Sequence, residues 1–179
     1  THAGVASIKK QLKLLNPSKN NYSVETIDGF LLRYISSYPE ISGWTVQDDD
    51  IDWIRVRQCA QTIFKKNFIK NILTRSYSGV YVDEYQDSSE PQHMLFLKLI
   101  ELGLTGVAVG DTQQSIYAWR GSNPEYITSL TAQPEVFEHH IVNINHRCHP
   151  SITNYSNRLF NPACDLIPTD EIRVHRWSY

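Results

Sequence analysis

Sulfur is scarce in this sequence: three cysteines (Cys59, Cys148 and Cys164) and one methionine among 179 residues. No two cysteines form a CxxC pair, and an odd count does not build a disulfide framework, so a reducing, cytoplasmic setting is expected. No apolar run approaches membrane-spanning length, and the mean hydropathy is -0.39, which excludes a transmembrane helix. Neither sign of charge dominates: 17 Lys and Arg stand against 19 Asp and Glu, for a formal net charge of -2. That balance excludes a protein that holds nucleic acid by bulk positive charge, while leaving a local basic groove open. Internal repeats and low-complexity stretches are missing too. The chain opens on Thr1 with no initiator Met, basic n-region or apolar h-region, so no targeting segment is visible. The expectation is that sequence upstream of Thr1 is missing. Against these absences, hydrophobic residues make up 41% and charged residues 20%, a balance that supports a packed core and argues against global disorder.

The charges fall in blocks. Residues 1–24 carry Lys9, Lys10, Lys13 and Lys19 with no acid, and residues 40–52 carry Asp48, Asp49 and Asp50 with no Lys or Arg. Residues 53–82 reverse the sign with Arg55, Arg57, Lys65, Lys66, Lys70 and Arg75 and no carboxylate. Two readings stay open for these blocks, solvated faces and a groove facing nucleic acid.

Periodicity predicts alternating helices and strands. Val5, Ile8, Leu12 and Leu15 recur at helical spacing until Asn16-Pro17-Ser18. Residues 25–37 predict a second helix, 54–74 a long basic amphipathic one, and 91–102 another with Pro91 in its first turn. Short apolar runs at 80–82, 106–109 and 141–144 predict strands, each ending on polar residues. Short strands alternating with helices indicate an α/β fold with a parallel sheet flanked by helices. Such sheets bind ligands at the carboxyl ends of their strands.

Two strand ends carry the chemistry. Residues 79–87, GVYVDEYQD, deliver Asp83 and Glu84 to the sheet edge. An Asp there suits a hydrated Mg²⁺, and the adjacent Glu suits a base that orients or deprotonates a water attacking a γ-phosphate. The structural alternative is a helix N-cap with acids favouring the helix dipole. Residues 107–122, VAVGDTQQSIYAWRGS, place Gln113, Gln114, Tyr117, Trp119 and Arg120 after the next strand. In an extended conformation Tyr117 and Trp119 point the same way and form a platform on which unpaired bases stack. Arg120 suits a phosphate or a ring face. The alternative is that both aromatics seal the base of the sheet. His139, His140, His146, Cys148 and His149 lack the two spaced ligand pairs of structural zinc, and a solvated turn is expected there.

Taken together, VDEYQD and GDTQQSIYAWRGS resemble the Walker B signature and motif III of the UvrD/Rep family of superfamily 1 DNA helicases. Residues 1–6 (THAGVA) and 25–35 (ETIDGFLLRYI) are similar to two DNA-contacting motifs of that family, and 145–157 (NHRCHPSITNYSN) to a later motif. The resemblance implies a RecA-like P-loop NTPase fold, incomplete at both ends. Residues 1–142 would be most of the first RecA-like lobe, with a reduced accessory insert at about 36–75, and 143–179 the start of the second. It implies that Asp83 holds Mg²⁺ with Glu84 as catalytic base, that Gln114 senses the γ-phosphate of ATP, and that Arg147 stabilises transition-state charge. Thr1, Thr26, Phe30, Tyr117, Trp119 and Arg120 would contact DNA, either a single strand or a duplex with a single-stranded tail. The implied activity is ATP-driven movement 3′ to 5′, with a nuclease or repair protein as a further partner. TIDGF and DEYQDS also resemble the helicase-like subunit of the Gabija anti-phage system, which has a short insert. One departure stands out: the eight glycines are followed by Val, Phe, Trp, Val, Leu, Val, Asp and Ser, never by Lys. A P-loop needs a Gly-rich cradle and a Lys. Truncation at both ends is therefore expected, and these 179 residues alone are expected to be inactive. A non-motor DNA-binding or regulatory module, or a defence-complex subunit that senses DNA ends, is the alternative function.

Overall fold

Thr26, a residue with low helix propensity, opens a helix instead of joining one: its side-chain oxygen accepts the Gly29 N–H at 3.0 Å. This cap starts α2 in the computed structural model, which describes residues 2–15, 21–45, 51–142, 144–161 and 163. The chain divides into two units, Thr1–Phe137 and Glu138–Tyr179.

In the first unit, α1 (His2–Leu15) has no buried residue and leaves Leu14 and Leu15 on the surface. Three helices follow: α2 (Ile27–Ser37), α3 (Pro39–Ser42) and α4 (Trp53–Ile63), the last N-capped by Asp52 through the N–H groups of Ile54 and Arg55. Then come α5 (Asn67–Ser76), β1 (Gly79–Val82), α6 (Glu90–Glu101), β2 (Thr105–Ala108) and α7 (Glu125–Thr131). Gln92 accepts the Ser89 N–H at 3.0 Å and fixes the start of α6, with Pro91 in its first turn. The main core joins Leu31, Tyr34 and Ile35 of α2 to Val56, Ala60 and Ile63 of α4 and to Ile69 and Leu73 of α5. A second cluster, Tyr85, Phe96 and Leu130, packs with Val82, Ala108 and Ile127 beneath the strand ends. Gly106 is needed there, since a Cβ would collide with Ile100 and stand 2.9 Å from the Phe96 ring.

β1 and β2 are parallel, with Gly79 opposite Thr105 and Val82 opposite Ala108. The structure is thus a mixed helical unit around a small two-stranded parallel sheet, consistent with the α/β class. Two expectations fail. The single helix at 54–74 is two helices, because Phe64 N–H closes α4 on Ala60 O and Lys66 takes extended backbone at the start of α5. The break lets Ile63, Phe64 and Ile69 all face the core, with the Phe64 ring parallel to Phe30 at 6.0 Å. The strand at 141–144 does not form among the described residues; Ile141, Val142 and Ile144 are irregular and exposed. A lone apolar run gains strand structure only by pairing with another strand.

In the second unit, α8 (Pro150–Phe160) starts at His149, whose ring accepts the Ser151 N–H at 3.3 Å. Just before it, Asn145 Oδ1 accepts the N–H groups of Arg147 and Cys148, both at 2.9 Å. No helix among the described residues is long and apolar enough to cross a membrane.

Candidate nucleotide and nucleic-acid site

Pairing continues past the ends of the two strands. Val109 N–H donates to Val82 O and Tyr85 N–H to Val109 O, both at 2.9 Å. These bonds hold residues 83–87 beside the start of the loop that follows β2. Tyr85 turns inward, its hydroxyl 2.8 Å from His93 Nδ1 and its ring edge-on to Phe96. Burial pushes the Tyr85 hydroxyl pKa up and the His93 pKa down. Tyr85 is thus the anchor of this turn.

Glu84 is the one non-glycine residue with positive φ among the described residues, at φ 53° and ψ 45°. A left-handed Glu is disfavoured by about 1–3 kcal/mol, a cost that surrounding contacts must offset. Its own N–H is held by Asp83 Oδ1 at 3.0 Å. Its Oε2 accepts Gln86 Nε2–H at 2.8 Å, and Gln86 Oε1 accepts the Asp111 N–H at 3.0 Å. Gln86 is only 1% exposed. Across the gap, Asp111 Oδ1 accepts the Gln113 N–H at 3.0 Å and Oδ2 accepts Gln114 Nε2–H at 2.8 Å. Glu84, Gln86, Asp87, Gln114, Ile116 and Tyr117 line an open pocket of about 260 Å³. Asp87 Oδ1 is buried there without a hydrogen-bond partner. Burial raises the Asp87 carboxyl above its ordinary value, and the charge of Glu84 adds to the rise.

The aromatic run differs from its expected shape. Ala118–Arg120 form a 3-10 turn ending on left-handed Gly121, not an extended strand. Arg120 lies over both rings, 4.5 Å from the Trp119 centroid and 5.4 Å from that of Tyr117. Trp119 is 75% exposed, so it does not seal the sheet. Tyr117 is half-buried and faces the pocket.

The remaining expected site residues are distributed differently. Thr26 caps α2, and Phe30 is half-buried against Tyr34, Phe64 and Tyr77. Arg147 is exposed in the second unit. Thr1 lies outside the described residues. In the basic block, Arg55 donates to Gly43 O and Thr45, and Arg57 stands 3.9 Å from Asp28, while Lys65, Lys66 and Arg75 are exposed. No group of three or more His, Cys, Asp or Glu suited to a metal forms among the described residues. A cation at Asp83 would therefore rest on one or two carboxylates with phosphate oxygens and water, the usual manner for Mg²⁺. Sequence reasoning passed over the bridging part of Gln86 and over Asp111. The available signals were the Gln two residues after Glu84 and the Gly110-Asp111 pair at the neighbouring strand end.

The polar residues gather at the carboxyl ends of two parallel strands in an α/β unit, the usual location of a ligand site in this class. The chain belongs to the UvrD/REP helicase N-terminal domain family, whose model matches residues 4–135. It is 40% identical over 106 residues to the Gabija protein GajB of Bacillus cereus (strain VD045), covering 58% of this chain and 21% of that one. It is 29% identical over 103 residues to the RecBCD enzyme subunit RecB of Buchnera aphidicola subsp. Acyrthosiphon pisum (strain APS), covering 56% and 9%. With an ATP-dependent helicase/nuclease subunit of Streptococcus pyogenes serotype M4 (strain MGAS10750), it shares 27% identity over 147 residues, covering 79% and 12%. The matched parts are thus about a fifth or less of these relatives' lengths.

Proposed function

We propose that the chain is part of an ATP-dependent DNA helicase or translocase that couples ATP hydrolysis to movement on single-stranded DNA, 3′ to 5′ by family resemblance. The observation that carries this reading is Glu84, held in a left-handed conformation and hydrogen-bonded at the rim of a pocket that also receives Gln114 and Tyr117. Residues 1–142 would form most of a first RecA-like lobe, with an insert at about 36–75, and 143–179 the start of a second.

In this reading Asp83 and Glu84 hold Mg²⁺; the exposed Asp83 carboxylate fits an oxygen-only site that keeps several waters. When bound, the ion neutralises charge on the phosphate oxygens. Glu84 takes the proton of the attacking water, and its hydrogen bond to Gln86 fixes the direction of the carboxylate. Gln114, ordered by Asp111, addresses the terminal phosphate. Arg147, exposed in its own unit, would supply positive charge to the same phosphate when the lobes close. Tyr117, Trp119 and Arg120 would bind unpaired bases and phosphate, with Thr1, Thr26 and Phe30 as further DNA contacts. A reducing, cytoplasmic setting fits the free Cys59 and Cys148.

The similarity to the Gabija protein favours a second reading, a helicase-like subunit of an anti-phage complex. Two relatives are named as enzyme subunits, which supports a nuclease or repair protein as partner. Glu84→Gln in the full-length polypeptide tests the main reading. Hydrolysis is expected to vanish while nucleotide binding, followed by a fluorescent analogue, is retained. Undiminished hydrolysis would remove Glu84 from its role.

A further inference from the structure

The buried amide of Gln86 is a connector. Its Nε2 donates to Glu84 Oε2 at 2.8 Å and its Oε1 accepts from Asp111 N at 3.0 Å. The orientation is chemically determined, because a flipped amide would set its oxygen against the Glu84 carboxylate and its NH₂ against a backbone N–H. Both bonds are part-buried, reaching from the buried Gln86 to the exposed Glu84 and Asp111, and leaving the buried amide of Gln86 unpaired would cost about 1–3 kcal/mol. The neighbouring backbone shows how tightly the amide is seated. A Cβ on Gly110 would stand 2.5 Å from Gln86 Oε1 and 3.1 Å from Gln86 N.

Beyond Asp111 the connection continues. Its carboxylate holds the Gln113 N–H and the Gln114 side chain, which lies three residues before Tyr117. The Arg120 guanidinium then covers the Tyr117 and Trp119 rings. Tyr85 offers no such route, since its hydroxyl faces His93 inside the second cluster.

We propose that Gln86 is a positioning residue that links the direction of the Glu84 carboxylate to the state of the loop bearing Gln114 and the Tyr117–Arg120 aromatic turn. This inference rests on the proposed function, in which Glu84 is the base and the turn binds DNA. Movement of residues 111–120 on binding a single strand shifts the Asp111 N–H, the Gln86 amide follows, and Glu84 changes its aim. Rates are steep in such displacements: a misplacement of about 1 Å costs about 100-fold.

The test compares Gln86→Met and Gly110→Ala with wild type in the full-length polypeptide. Met keeps the unbranched shape without the amide, and Ala at position 110 displaces the amide while keeping its chemistry. In both, DNA-stimulated kcat is expected to fall by about 10–100-fold. The KM for ATP is expected to stay within about threefold, and stimulation by DNA to shrink toward none. Without nucleotide or DNA, the Asp111 amide is expected to exchange faster with deuterium in Gln86→Met. Normal DNA stimulation in a folded variant, or unchanged Asp111 exchange in Gln86→Met, overturns the link. If Gln86→Met does not fold, Gly110→Ala alone decides. Glu84→Gln separates the two failures. Hydrolysis persisting in that variant removes the proposed function and the link with it; hydrolysis lost there but normally stimulated in the other two removes the link alone.

Discussion

The guanidinium carbon of Arg120 stands 4.5 Å from the centre of the Trp119 ring, on a turn where that ring is 75% exposed. A large aromatic surface is thus presented to solvent with a cation over it, and the proposed function has this surface take a base and its phosphate. Trp119→Ala is expected to weaken single-strand binding by about 1–3 kcal/mol in fluorescence anisotropy. The folding midpoint should hardly move, because little of the side chain is buried. Unchanged affinity would remove Trp119 from the DNA surface.

Phe30 adds a stability prediction. Its ring packs 4.9 Å from Tyr34 and 6.0 Å from Phe64, with Arg33 5.3 Å from its centroid. Phe30→Ala is expected to destabilise the protein by about 2–4 kcal/mol in urea unfolding, less than a fully buried Phe at the upper end. Full stability after the substitution would show that the Phe30 ring contributes nothing to this packing, whatever it adds to DNA binding.

The sequence made some of this legible and hid the rest for identifiable reasons. β1 and β2 showed as short apolar runs ending on Asp83-Glu84 and Gly110-Asp111, and α6 showed through Pro91 and its helical spacing. The break between α4 and α5 was hidden because the stretch around Phe64–Lys66 contains no Gly or Pro; burial of Ile63, Phe64 and Ile69 enforces it. The run at 141–144 misled because apolarity marks a candidate strand but not its partner. Glu84 and Gln114, which both line the pocket, were readable as polar residues following the strands. The left-handed backbone of Glu84 was not, since Glu has no preference for it. Nor was the Gln86 bridge, whose far partner lies 25 residues along the chain.

The same chemistry predicts what these 179 residues lack. None of the eight glycines is followed by Lys, and phosphate transfer in P-loop enzymes depends on that Lys and its backbone cradle. The 179-residue polypeptide is expected to release no phosphate from ATP above background, with or without single-stranded DNA. DNA-stimulated phosphate release by it, unchanged after a further purification step, would refute this expectation.

Asp87 carries the pH prediction. Its carboxyl is raised by burial first and by the Glu84 charge second, and its Oδ1 has no hydrogen-bond partner. The unfolded chain ionises this group at its ordinary value of about 4. Between that value and the raised one, the folded protein binds more protons than the unfolded chain, so stability falls as pH rises through the window. Below the ordinary value both states are protonated and the effect is gone; above the raised value the full penalty is present. Asp87→Asn removes the penalty and is therefore expected to raise stability at pH 7, with the gain fading as the buffer is taken below about 4. Urea unfolding at both ends of the window, in metal-free buffer with chelator, measures it. In a carboxyl-carbon NMR titration, Glu84→Gln is expected to bring the Asp87 midpoint down without returning it to the ordinary value, because burial is the larger cause. An Asp87 midpoint indifferent to Glu84, or a gain equal at both pH extremes, would show that the carboxylate is not held up by this environment.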